Sequence, residues 1–144
     1  MPTPVTSSAN GTWSGDLTSG SGQTTLSTSG LGTFDVNWKA RTEPGAGTTN
    51  PEELIAAAHA ACYSMALSNE LASNGTTPES VHTTADVTFV AGTGITGIHL
   101  TTVASVPGIL AEDFARIAEG AKDGCPVSAA LKATPITLDA TLQG

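Results

Sequence analysis

Two thiols, two of the few bases and one carboxylate are the residues of this 144-residue chain whose types and spacing could do chemistry. Cys62 lies inside NPEELIAAAHAACYSMAL (50–67), an alanine-rich stretch with His59 three residues before it. A helix returns to the same face every three to four residues, so Cys62 and His59 could act as a nucleophile and its base. A cysteine among alanines inside a helix is equally a small buried apolar residue. Being about three turns from the helix start, it gains little from the helix dipole. Cys125 has a different setting. It directly precedes Pro126 in GCPVSAAL, at or near the N-cap of a short helix, where free N–H groups favour a thiolate. By this argument Cys125 is the more acidic thiol, or else a small residue used as a tight cap.

Arg41 is one of only two arginines and follows a predicted strand. It is either a solvated surface residue or a cation aimed at a site. Glu52 stands ten residues before Cys62, which puts it about a quarter turn off the cysteine's face. From there it would reach an arginine beside Cys62 without reaching the sulfur. Glu52 and Glu53 also serve as first-turn charges that complement the helix dipole. Two cysteines more than sixty positions apart, with three histidines, match no CxxC motif and no zinc spacing, so no metal is expected.

The elements that must position these residues are legible in outline. Trp13, Gly15-Asp16 and SGSG at 19–22 indicate a hairpin whose second strand runs from Thr24 to Ser29. Phe34, Val36 and Trp38 alternate with Asp35, Asn37 and Lys39, the pattern of a half-buried strand, and RTEPGAGTTN reads as a loop. Asn50 as N-cap, Pro51 at the first helical position and Asn74-Gly75 at the end delimit the cysteine-bearing helix. Ser80–Val90 and Ile95–Val106 alternate around a glycine turn at 92–94 and form a second hairpin. Residues 110–123 are an amphipathic helix, Pro126–Lys132 a short one, and a last strand turns Ile136, Leu138, Ala140 and Leu142 inward. Clustered strands with interspersed helices predict an α+β fold with a mainly antiparallel sheet. One domain over 1–144 is expected, with 1–10 as an N-terminal arm.

The net charge of −8 disfavours nucleic acid and anionic membrane surfaces as partners. The N-terminus has no signal-peptide pattern, and a reducing cytoplasm is the expected compartment.

Taken together, NPEELIAAAHAACYSMAL, GCPVSAALKA…ITLDATL, TTADV (83–87) and the W-x-G-D start resemble the OsmC/Ohr family, the OsmC branch in particular, from Trp13 to Leu142. The resemblance implies an intertwined homodimer, each subunit pairing a strongly curved antiparallel sheet with a long central helix, and active sites at the dimer interface. It implies thiol-dependent reduction of organic hydroperoxides in stress defence, with Cys62 as peroxidatic and Cys125 as resolving cysteine. Glu52 then matches the active-site glutamate and Arg41 the active-site arginine, although the loop after Arg41 is about one residue longer than the family pattern. A Cys62–Cys125 disulfide would be reopened by a dithiol, such as a lipoylated protein, and His59 would take a packing or supporting role. Two rival readings stand beside this one. The first is a non-enzymatic, stress-induced dimer that binds a small apolar ligand and has structural cysteines. The second is a hydrolase using Cys62 and His59.

Overall fold

The computed structural model describes residues 2–143, whose contacts group into two compact units, one ending at Pro51 and the other beginning at Glu52. The first unit holds strands β1 (Asn10–Ser14), β2 (Ser21–Thr25) and β3 (Thr33–Val36) in one antiparallel sheet, in the order β1-β2-β3. The hairpin forms as expected, but β2 begins at Ser21, inside the glycine-serine run. The reason is Trp13, which stands opposite Gly22 in the ladder. A Cβ on Gly22 would meet Thr12 O at 2.2 Å and the Trp13 ring at 2.6 Å, so only glycine can pair there. The turn is closed by Asp16, whose carboxylate accepts from the Ser19 N–H at 2.7 Å and the Ser19 hydroxyl at 2.5 Å. Those bonds hold its pKa below the ordinary carboxylate value. Within the segment expected as an arm, Ser8 O accepts from Thr28 N–H at 3.0 Å.

The third strand stops short of its predicted end. Trp38 is instead the N-cap of a one-turn helix, α1 (Lys39–Thr42). Asn37 draws the chain out of the strand, because its Oδ1 accepts the Ala40 N–H at 2.7 Å. Ala40 O in turn accepts the Asn50 side-chain amide at 2.7 Å, which ties both ends of the 40–50 segment together. Part of the predicted loop is therefore helical, and Arg41 sits on α1.

The second unit contains α2 (Pro51–Ser73) from Glu52 onward, then β4 (Ser80–Val90), β5 (Gly94–Ser105), α3 (Ala111–Gly124), α4 (Pro126–Ala130) and β6 (Ile136–Gln143). Gly75, at φ 82°, ends α2, with Thr76 N–H bonded back to Leu71 O at 3.0 Å. β4 and β5 form the expected antiparallel hairpin, whereas β6 joins β5 in parallel, giving the order β4-β5-β6. The parallel pairing follows from connectivity: α3 and α4 carry the chain back to the start of β5 before β6 begins. The strands thus form two three-stranded sheets with one parallel pair, where one curved sheet was expected. The α+β class stands.

Tyr63, Leu67 and Leu71 on α2 pack with Ile98, Leu100 and Ala104 of β5 and with Phe114, Ile117, Ala118 and Ala121 of α3. Alternation puts Ile136, Leu138 and Leu142 of β6 against this core, while Ala140, predicted inward, is exposed. Polar ties fix α2 on its neighbours. Tyr63 OH donates to Ala118 O at 2.9 Å, and Ser64 Oγ donates to Thr83 Oγ1 at 2.8 Å, which lies 3.0 Å from Thr102 Oγ1.

Candidate redox site

Of the predicted site residues, the second unit brings two together. Cys62 projects from the middle of α2, and Cys125 lies at the junction where α3 ends and α4 begins. Both are free thiols, and Cys62 packs against the core cluster that contains Cys125, close enough for Cys125 to act on its pKa. Cys125 is fully buried, whereas Cys62 is partly exposed. Burial pushes the Cys62 thiol up from its ordinary pKa, and the contact with Cys125 adds to that rise. The backbone N–H of Val127 acts in the opposite direction by donating to the Cys62 sulfur.

That last contact bears on the geometry of the cap and not on which thiol is the more acidic. Cys125 does occupy the N-cap of α4, but its sulfur makes no capping hydrogen bond. The first-turn N–H credited to Cys125 is spent on Cys62 across the helix boundary. Sequence spacing placed the N–H group correctly but could not tell which sulfur it would meet.

His59 is completely buried, but it is not a base for Cys62. Its Nε2 lies 2.7 Å from Ser128 Oγ on α4, and its Nδ1 has no partner. Burial lowers its pKa, so the ring is neutral at pH 7. The Cys62/His59 hydrolase reading therefore lacks its central hydrogen bond. Ser128 and the Val127 N–H were not singled out from the sequence. One signal for Ser128 was available, since it follows Cys125 by the same three residues that separate His59 from Cys62.

Glu52 occupies the first turn of α2 and is buried, whereas Glu53 beside it is exposed. Ten residues of helix separate Glu52 from Cys62 by about 15 Å along the axis. The quarter-turn argument gave the angle but left out this length. Arg41, in the first unit, is half-buried with its guanidinium 5.8 Å from the Trp38 ring centroid, within cation–π range. It borders a mainly apolar cavity of about 260 Å³ that Trp13, Leu17, Val36, Trp38 and Pro51 also line.

Among the described residues, no cluster of histidine, cysteine and carboxylate side chains could hold a metal ion. No helix among them is long and apolar enough to cross a membrane.

The family profile for OsmC-like protein matches residues 44–140, well over half of the chain. The chain is 48 % identical over 134 residues to the peroxiredoxin OsmC of Escherichia coli strain K12, covering 91 % of this chain and 92 % of that protein. The chain belongs to the OsmC family. Solved structures agree on the OsmC-like fold. The OsmC-like protein of Mycoplasma pneumoniae superposes with a TM-score of 0.74 over 99 % of this chain and all of its own, at 13 % identity. An organic hydroperoxide resistance protein from Elizabethkingia anophelis superposes with a TM-score of 0.69, at 26 % identity, over 100 % of this chain and 99 % of its own. In this OsmC-family chain the matched segment contains Glu52, both cysteines, His59 and Ser128, while Arg41 precedes it.

Proposed function

We propose that the protein is a cysteine-based peroxidase that reduces organic hydroperoxides to alcohols in oxidative and osmotic stress defence. The observation that carries this reading is the neighbouring pair of free thiols, the more exposed one beside the Val127 N–H at a helix start, in a chain similar to a peroxiredoxin. The Cys62 thiolate attacks the distal oxygen of ROOH; the O–O bond breaks, ROH leaves after protonation, and Cys62 becomes a sulfenic acid. The buried Cys125 sulfur then displaces the sulfenic oxygen as water, forming the Cys62–Cys125 disulfide. An external dithiol reopens it by exchange and is itself oxidised to a disulfide. A lipoylated protein fits that role. No bound cofactor enters these steps.

Arg41 supplies the cation that offsets the burial-raised pKa of Cys62 and stabilises charge on the departing oxygen. Glu52 holds that guanidinium in a bidentate pair. One guanidinium cannot touch two groups about 15 Å apart on the same helix, so a site using all four residues draws on both chains of an intertwined homodimer. The exposed apolar side chains support such a partner: Leu31 is 82 % and Met65 73 % exposed in the single chain. In the dimer, the chain acts as one functional domain. The apolar cavity beside Arg41 takes the alkyl part of the substrate, which favours organic over inorganic peroxide. The expected compartment is the cytoplasm, where dithiol reductants are maintained.

The test is cumene hydroperoxide turnover with dihydrolipoamide as reductant. The wild-type protein is expected to consume peroxide catalytically. Turnover by Cys62→Ser at the wild-type rate would overturn the mechanism.

A further inference from the structure

We infer that His59 and Ser128 form a buried clasp that sets Cys62 and Cys125 in register for disulfide formation, making both positioning residues for the resolving step. The inference rests on the peroxidase reading for its chemistry but not for its geometry.

Four residues on two helices make two cross-links. On α2, His59 precedes Cys62 by three residues; on the α4 segment, Ser128 follows Cys125 by three. His59 bonds to Ser128 and Cys62 lies beside Cys125, so the two links run in opposite chain directions. They lie about one helical turn apart, roughly 4.5 Å along the axis. A single contact between the thiols would leave α4 free to pivot about it, whereas two contacts remove that freedom. α4 needs the help, because a five-residue helix without a side-chain cap has little stability of its own.

The imidazole is an odd choice for mere filling. It is completely buried, its Nδ1 has no partner, and its one hydrogen bond goes to the helix that carries Cys125. The bond to Ser128 is the one polar interaction that accounts for an imidazole at this position. Ser128 is itself only 5 % exposed, at the edge of an open pocket that Lys122 and Lys132 also line.

The resolving step is sensitive to this register. The Cys125 sulfur must approach Cys62 opposite the departing sulfenic oxygen, and the new bond requires a narrow range of Cα and Cβ separations. While it waits, the sulfenic acid is open to a second peroxide, which carries it to sulfinic acid. A loosened α4 therefore shifts the outcome from disulfide towards over-oxidation and leaves the first attack on peroxide unaffected.

The experiment treats full-length Ser128→Ala, His59→Leu, the double variant and His59→Gln with about ten equivalents of cumene hydroperoxide without reductant, so that a second peroxide is available to the sulfenic acid. Rapid quench and mass analysis separate sulfenic acid, disulfide and sulfinic acid. Sulfenic acid is expected to form within about twofold of the wild-type rate, while disulfide formation slows about tenfold in both single variants, the scale of a positioning defect. The double variant should be no slower than either single one, since each removes the same bond. His59→Gln, whose amide can still reach the hydroxyl, should recover most of the rate. As a second readout, the Cys62–Cys125 disulfide equilibrium against glutathione should weaken about tenfold in Ser128→Ala. Unchanged partition and unchanged equilibrium would overturn the clasp, as would both chemical steps slowing together. A wild-type Cys62 that ignores peroxide would instead sink the peroxidase reading, and the glutathione equilibrium would still decide the clasp.

Discussion

The two units of this chain are built on different terms. From Glu52 onward, α2, β5 and α3 share a core in which Tyr63, Leu67, Leu71 and Leu100 are completely shielded from water. Among the described residues up to Pro51, none is buried, and Trp13, Leu17, Leu31 and Phe34 are exposed. The first unit is held by main-chain pairing and hydroxyl bonds such as Thr25–Thr33, at 2.9 Å. The second has the apolar surface to fix a helix within a fraction of an ångström. The thiol pair, which needs that rigidity, lies in the second unit, while the guanidinium sits on a short helix in the first. The difference is that the two thiols lie beside a packed apolar core, whereas Arg41 lies in a unit held by backbone and hydroxyl bonds.

The largest effects that would break this division concern the thiols. Cys62→Ser should abolish turnover, a loss of at least about a thousandfold, in coupled peroxide assays. Cys125→Ser should allow one rapid turnover and then stall with dithiol reductants. The next effect crosses to the first unit. Arg41→Met should slow peroxide attack by about a hundredfold. It should also move the pH inflection of Cys62 alkylation upward, because burial raises that pKa and a nearby cation would bring it down. An inflection unmoved by the substitution would leave Arg41 without its proposed role.

Stability sharpens the comparison further. Leu67→Ala removes a fully buried side chain and should cost about 2–5 kcal/mol in denaturant titration. Leu31→Ala in the first unit should change stability by less than about 0.5 kcal/mol. A large cost at Leu31 would mean that another chain buries it. The smallest effect is on pH dependence. His59 is harder to protonate when folded than when unfolded, so its contribution is present above the ordinary imidazole range and lost as pH falls through the folded value. The fall in melting temperature between pH 7 and 5 should therefore be shallower in His59→Gln than in wild type.

Much of the frame was legible in the residues. The alternation from Ser80 to Val90 matches β4, and Pro51 and Asn74-Gly75 bracket α2. The failures are local and have causes. Trp38 continues an alternating pattern, yet the Asn37 side chain captures Ala40 N–H and turns the strand into α1. Ser21 and Gly22 read as turn residues, yet the Trp13 ring requires a residue without a Cβ inside the strand. At the site, the GCP motif showed that Cys125 sits at a helix start, while the destination of its N–H groups was not written in spacing.

By itself, then, the sequence determined the family and its class of chemistry, two thiols in OsmC-like segments, a helix with clear ends and an acidic composition. Only the tertiary structure decided that the Val127 N–H meets Cys62, that His59 turns to Ser128, and that Cys125 is the shielded thiol. The reason is one of range. Caps, turns and periodicity are set by residues a few positions apart, where the backbone geometry is nearly fixed. The partner of a buried polar atom comes from 69 positions away in the case of His59 and Ser128, and it is chosen by how two packed helices come to rest against each other.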